Sequence, residues 1–392
     1  MKQKVTYMKL FTGFALATML ATTIGNFSPD NILPPESTPE VTLPEVTVPQ
    51  EAPDYIHGVW LTTVFNLDFP SSRTLTEGAL RSEMITIADN LAEREITHLY
   101  FQVRPQSDAF YASDIFPPSF YLTGDQTVEP PFDVLEYLIE LCHERGIELH
   151  AWINPYRVTR SETDVLAPDH IALQHPELVV ECEGSLYFDP ALPEVQEIIL
   201  DGISEILVNY EVDGIHFDDY FYPSNTFDDA SSYEKYGNGM SLDAFRRNNV
   251  TNLVSAVYDL VHETSDTAIF GISPAGIWAN ASSMEGGSQT NGGQTYFLHY
   301  ADTRQWVYDG IIDYIAPQIY WQIGFEIAEY ITLVDWWCDV AEGTGVDLYI
   351  GQASYRQSSG AFTEGEIDRQ IAYNKTKEQV GGSIYFRYEH IL

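Results

Sequence analysis

One unit recurs through most of this chain: a short aromatic or β-branched run, a polar loop, then an amphipathic stretch at helical spacing. Eight runs qualify as strands: His57–Thr62, His98–Val103, Glu148–Ile153, Gly214–Asp218, Ala268–Ser273, Tyr314–Tyr320, Leu348–Ala353 and Ser383–Arg387. Most are nearly continuous apolar runs, the pattern of strands covered on both faces. Helical periodicity fills the intervals at Glu77–Arg94, Pro131–Arg145, Leu192–Asn209, Leu242–His262 and Glu366–Gln379, and more weakly at Glu326–Val340. Arg145-Gly146 reads as a helix stop with glycine just past the end. The longest intervals follow strands two to five, and the surplus lies in strand-to-helix loops. This asymmetry predicts an α/β fold, a (β/α)8 TIM barrel whose long loops crown one face. A doubly wound open sheet is the rival, but Thr62-Thr63-Val64-Phe65 follows the first strand where a glycine-rich dinucleotide turn belongs. Five residues remain after the last strand, so its outer helix is expected to be missing.

Two segments precede the barrel, which is expected over residues 55–392. Residues 1–25 read as a signal peptide: Lys2, Lys4 and Lys9 are followed by an uncharged, largely apolar run from Leu10 to Ile24. A retained membrane anchor is the alternative, although the run is short for a full crossing. No cysteine ends it for lipid attachment. Residues 26–54 form a linker with seven prolines and no Lys or Arg. Proline fixes its own φ and restricts its predecessor, so this tract is an extended stalk rather than a helix or central strand. Secretion or attachment to the cell envelope follows, with transient cell-wall contact through the stalk.

Charge narrows the partners. The chain has 58 acidic and 19 basic residues, a formal net charge of −39. Such a chain repels nucleic acid and anionic lipid, which excludes phosphate reading. Three scattered cysteines, Cys142, Cys182 and Cys338, exclude a disulfide framework and a close-spaced zinc motif. Cys142 falls in a helix as a small hydrophobe, and one disulfide between the other two stays open.

Chemistry in a barrel belongs at the carboxyl ends of the strands. Those ends carry Arg104 and Asp108 on strand two, and His150, Trp152, Asn154, Tyr156 and Arg157 on strand three. Strand four carries His216, Asp218, Asp219, Tyr220 and Tyr222, and strand six Gln318, Tyr320 and Trp321. Aromatic faces against pyranose rings, with amides, carboxylates and arginines bonding hydroxyls, suit a glycan polymer. The sharpest segment is Asp213-Gly-Ile-His-Phe-Asp-Asp219. Alternation points His216 and Asp218 to one side, and Asp219 turns into the loop. Adjacent carboxylates repel when both are charged, so one holds a proton near neutral pH. Asp218 and Asp219 are therefore the catalytic candidates. A calcium site built from this pair with Asp189 and Asp68 is the alternative. Zinc catalysis is disfavoured, because no HExxH occurs and His150 and His216 sit on different strands, as rim histidines orienting carboxylates or hydroxyls. No GxSxG elbow supports a serine hydrolase. No cofactor and no catalytic metal are expected.

The runs HGVWLTT (57–63), FQVRPQSDAFY (101–111), HAWINPYR (150–157), LYFDP (186–190), DGIHFDDYFYP (213–223), GISPAG (271–276) and PQIYW (317–321) resemble, in order, glycosyl-hydrolase-like family 10. These are bacterial cell-envelope proteins. The resemblance spans about residues 55–390. It implies a TIM-barrel glycosidase, and for some relatives cleavage of peptidoglycan glycan strands stripped of stem peptides. The family's paired aspartates fall on Asp218 and Asp219.

Two mechanisms fit. Most glycosidases place two carboxyl groups across the scissile bond, so one of the pair acts with an acid from another strand end: Asp68, Asp108 or Asp189. Alternatively, one Asp protonates the leaving oxygen while its neighbour orients the substrate's own acetamido group. Arg104, Asn154, Arg157 and Gln318 are expected to bond substrate, and Trp152, Tyr156, Tyr222 and Trp321 to stack on sugar rings. A non-catalytic glycan-binding envelope protein and a glycosidase for an extracellular polysaccharide remain the alternatives.

Overall fold

The strand candidates pair in sequence order. The computed structural model describes residues 55–392 apart from Glu162. Its barrel strands are β1 (Ile56–Leu61), β2 (His98–Arg104), β3 (Glu148–Ile153), β4 (Gly214–Phe217), β5 (Ile269–Ile272), β6 (Tyr314–Ile315), β7 (Asp347–Gln352) and β8 (Val380–Tyr385). Neighbours are parallel, and β1 pairs with both β2 and β8, so the sheet closes into a (β/α)8 barrel. Helices α1 (Glu77–Glu93), α2 (Val134–His143), α3 (Pro193–Asn209), α4 (Leu242–Thr264), α5 (Thr303–Asp309), α6 (Tyr330–Ala341) and α7 (Glu366–Asn374) follow the first seven strands. The expected signal peptide and linker lie outside the described residues.

Local chemistry sets the helix ends. The side-chain oxygens of Thr76, Asp133 and Ser241 accept from backbone N–H groups at 3.3, 3.1 and 3.3 Å, capping α1, α2 and α4. Pro193 opens α3, where its missing N–H costs nothing. Gly146 takes φ +68° just past α2, the stop the sequence predicts. One face of α1 buries Leu80, Met84, Ile87 and Leu91, each contributing about 1.5–3 kcal/mol.

Rings fill much of the barrel interior: Trp60, Tyr100, Trp152, Tyr314 and Tyr349 form one buried cluster with Ala316 and Ile384. They fit because facing positions are glycine. A Cβ on Gly271 would lie 2.2 Å from the Tyr314 ring, and one on Gly214 would lie 2.4 Å from His150 Nδ1.

The structure departs from the sequence reading in two places and adds to it in two more. Strand six pairs regularly over Tyr314–Ile315 alone, because Pro317 has no N–H for the ladder; Gln318 then makes isolated bridges to Ala275 and Gly351. The loop after β3 contains an antiparallel hairpin, Val179–Cys182 with Ser185–Phe188. Its turn uses Glu183 and Gly184 at φ 53° and 79°, a type I′ pattern signalled less clearly by Glu-Gly than by Asn-Gly. Among the described residues no α-helix follows β8; a 3-10 turn, Tyr388–Ile391, docks on α1. There Asn90 Nδ2 donates to the Tyr388 hydroxyl at 2.8 Å and Arg94 Nε to the Ile391 carbonyl at 2.7 Å. All three cysteines are buried and free, which closes the disulfide alternative. No helix among the described residues is long and apolar enough to cross a membrane.

Candidate active site

Asp218 follows the last residue of β4 and is held from two sides. Asn154, just past β3, donates its Nδ2 to Asp218 Oδ2, and the Tyr220 N–H donates to Oδ1 at 3.1 Å. Asn154 is itself fixed by Gln102 Nε2 on β2, which donates to Asn154 Oδ1 at 2.8 Å. Gln102 Oε1 in turn accepts from the N–H groups of Thr63 and Val64, both at 3.0 Å. A continuous chain of amides thus runs from the loop after β1 to the Asp218 carboxylate. Burial raises the Asp218 pKa against the opposing Arg157 charge, these donors and the Trp152 indole beside it.

Asp219 keeps some solvent contact, yet the side chains packed around it exclude most water. That desolvation, and then the Asp218 charge, push it up to about 7, while Arg157 and a hydrogen bond with Gln318 favour its charged form. Two neighbouring acids in one site, both opposed by the Arg157 guanidinium, cannot both ionise easily. The arrangement keeps a proton on the pair near neutral pH.

The other acids are committed elsewhere. Asp68 is buried in an ion pair with Arg387 and accepts from the Thr62 and Glu389 N–H groups at 2.9 and 3.0 Å. Asp108 is buried within its own loop, where Oδ2 accepts from Gln106 Nε2, Gln126 Nε2 and the Phe120 N–H, each at 3.0 Å. Asp189, past the hairpin, accepts from Ser232 and from the Ala191 N–H at 3.0 Å. Asp68 and Asp189 have both carboxylate oxygens engaged, whereas Asp108 Oδ1, buried in its loop, has no hydrogen-bond partner. A surface cavity of about 950 Å3 is lined by Asp189 but by neither Asp218 nor Asp219.

Several expected rim residues point elsewhere. The β2–β3 register shifts between Gln102 and Arg104, and this bulge turns Arg104 out of the barrel. Its guanidinium lies 4.3 Å from the Phe116 ring centroid, and a Cβ on Gly202 of α3 would approach Nη1 at 2.8 Å. His150 and His216 lie inside the barrel, not on its rim: both are fully buried and bond the Tyr314 hydroxyl through Nδ1, at 3.0 and 2.9 Å. His216 Nε2 accepts from the Trp60 indole at 3.1 Å. Tyr156 and Tyr222 are completely buried and offer no face to a sugar; the Tyr222 hydroxyl accepts from Asn249. Trp152 is 5% exposed and belongs to the interior cluster.

The structure does gather Asn154, Arg157, Gln318 and Tyr320 around the pair. Arg157 donates Nη1 to the Pro105 carbonyl at 3.1 Å, and its Nε has no partner. Gln318 donates to the Ser273 carbonyl at 2.8 Å. The buried Tyr320 hydroxyl has no partner and feels the charges of both aspartates. Trp321 is half-buried. Tyr220 stood among the residues at the end of strand four without an assigned role, and His299 was not singled out. Tyr220 is 43% exposed, with Arg157 5.0 Å from its ring centroid. His299 feels the Asp218 charge and packs edge-on to Tyr220 at 6.2 Å. Tyr220 had a signal, as the aromatic after the acid pair; His299 sits in a loop far along the chain and had none.

A carboxyl pair at the carboxyl end of a (β/α)8 barrel fits a barrel glycosidase, and that is the class of this protein. Residues 55–365 match the model of the family described as glycosyl hydrolase-like 10, and the chain belongs to that family. It is 40% identical over 344 residues to glycosyl hydrolase YngK of Bacillus subtilis strain 168, an alignment covering 84% of this chain and 68% of that protein. It is 35% identical over 372 residues to glycosyl hydrolase DigH of Escherichia coli K12, covering 87% and 85%. The fold resembles the catalytic domain of β-amylase from Paenibacillus polymyxa, with a TM-score of 0.54, 12% identity and coverage of 86% of this chain and 94% of that one.

Proposed function

We propose that this protein hydrolyses glycosidic bonds in cell-envelope glycan built of N-acetylated sugars, as in peptidoglycan strands, with the substrate's acetamido group as nucleophile. Asp219 is the general acid: it holds a proton near neutral pH and delivers it to the leaving glycosidic oxygen. Asp218 is the charged partner, steadied by Asn154, the Tyr220 N–H and Arg157. It accepts from the acetamido N–H and turns the carbonyl oxygen toward the anomeric carbon. Water then opens the cyclic intermediate, with Asp219 as base.

What supports this reading is the engagement of both carboxylate oxygens of Asp68 and of Asp189 in structural contacts, together with the burial of Asp108 in its own loop, while Asp218 and Asp219 stand side by side. Substrate assistance is the known route for glycosidases lacking a second carboxylate. Tyr220 and Trp321 are the ring platforms, and the unpartnered Arg157 Nε suits a lactyl or other sugar carboxylate. Export through residues 1–25, with the linker as stalk, places the barrel at the cell envelope.

Mass spectrometry of products tests this. The chain is incubated with intact peptidoglycan, with glycan strands freed of stem peptides, and with common polysaccharides. Saccharide fragments from the freed strands are expected. Binding without any fragment would make the protein a glycan-binding one, and fragments from a sugar polymer without acetamido groups would refute substrate assistance.

A further inference from the structure

At the opposite end of the barrel from the aspartate pair, β2 and β3 bring three potential ligands together. His98 and Glu148 are register partners at the first positions of their strands, and His150 pairs with Tyr100 one layer further in. A ring nitrogen of each histidine and a Glu148 carboxylate oxygen all lie within 4.8 Å of one another. His98 Nε2 is 3.1 Å from Glu148 Oε2. From Glu148 to Asn154, the residue that holds Asp218, six residues of extended chain span roughly 20 Å.

Hydrogen bonding prepares both imidazoles. His98 spends Nδ1 on the Thr97 hydroxyl at 2.8 Å, and His150 spends Nδ1 on the Tyr314 hydroxyl at 3.0 Å. Orientation of a ligand histidine through its second nitrogen is the usual support around a bound metal. What remains is Nε2 on each ring. On His150 that atom is completely buried and has no hydrogen-bond partner, a costly condition for a polar nitrogen unless something occupies it. A His98–Glu148 ion pair alone accounts for two of the groups and leaves His150 Nε2 unexplained.

We propose that His98, Glu148 and His150 form a binding site for a divalent transition-metal ion of the zinc type, which ties β2 to β3 at the amino-terminal end of the barrel. Two imidazole nitrogens and a carboxylate oxygen are a donor set for zinc rather than for calcium or magnesium, which prefer all-oxygen shells. Solvent supplies the fourth position, and it has access: the Glu148 side chain is 52% exposed. The role is structural, separate from the acids at the other end of the strands.

The test uses the full chain without a histidine tag, dialysed against chelator and then titrated with Zn2+ by calorimetry and with Co2+ by visible absorption. One equivalent of Zn2+, a tetrahedral Co2+ spectrum and a raised melting temperature are expected. H98Q and E148Q alter partly exposed positions and should weaken Zn2+ at least tenfold; H175Q, in an exposed His–Glu pair, should leave it unchanged. If H98Q does not fold, E148Q decides alone. No binding by the parent chain, or binding that E148Q leaves intact, overturns the proposal. None of these readouts involves glycan cleavage.

Discussion

Asp219→Asn should destroy activity and stabilise the fold, and the second effect should depend on pH. The Asp219 pKa is raised from 3.8 to about 7, so the folded state holds this proton more tightly than the unfolded chain does. Its contribution to stability is fully present below about pH 4 and is lost as pH rises through about 7. Roughly three units at 1.36 kcal/mol each make about 4 kcal/mol of destabilisation above pH 8. Part of that belongs to Asp218, since the two titrate together, so Asp219→Asn is expected to recover about 2–4 kcal/mol there. Asn keeps the shape and still bonds Gln318 but never ionises, so the gain should vanish near pH 4. Thermal melts of both proteins from pH 4 to 8.5 measure it, at roughly 2–4 °C per kcal/mol for a domain of this order of size. An equal difference at both ends of the range, or a less stable variant at pH 8, would refute the claim that crowding and a like charge strain this acid.

Other expectations concern chemistry and packing. Asp218→Asn should lower turnover on freed glycan strands by about 100-fold or more while circular dichroism stays unchanged; full activity would remove Asp218 from the mechanism. Asn154→Ala deletes a hydrogen bond to a charged group worth about 1.5–3 kcal/mol. Asp218 then protonates more readily, so the acid limb of kcat/KM should move up by about 1–2 pH units; an unmoved limb would separate Asn154 from the catalytic charge. Gly271→Ala puts a methyl 2.2 Å from the Tyr314 ring and should cost about 1–3 kcal/mol through overpacking, read as a lower melting temperature.

Which features were legible in the sequence follows from how local their causes are. Strand and helix identity depends on neighbours a few residues away, so seven strands fell within about three residues of their expected ends. The sixth failed because Pro317 withdraws a ladder donor, a local fact the apolar pattern masked. Asp218 was legible because strand alternation holds through Phe217 and carries one step into the loop. Alternation then misled wherever the backbone broke it. The bulge at Val103 reversed Arg104, and Tyr156 and Tyr222, beyond the ends of β3 and β4, fold back into the core.

The sequence by itself determined the eight-unit barrel, the family and the acid pair, since periodicity and motif order are properties of the chain. Only tertiary structure decided which polar groups stand free. Asp68, Asp108 and Asp189 look like candidates until Arg387, Gln126 and Ser232 arrive from distant positions to occupy them. Tyr220 and His299, from separate loops, meet beside Asp218. Whether a carboxylate binds substrate or braces a loop depends on partners that closing the barrel brings near, and linear spacing holds no record of them.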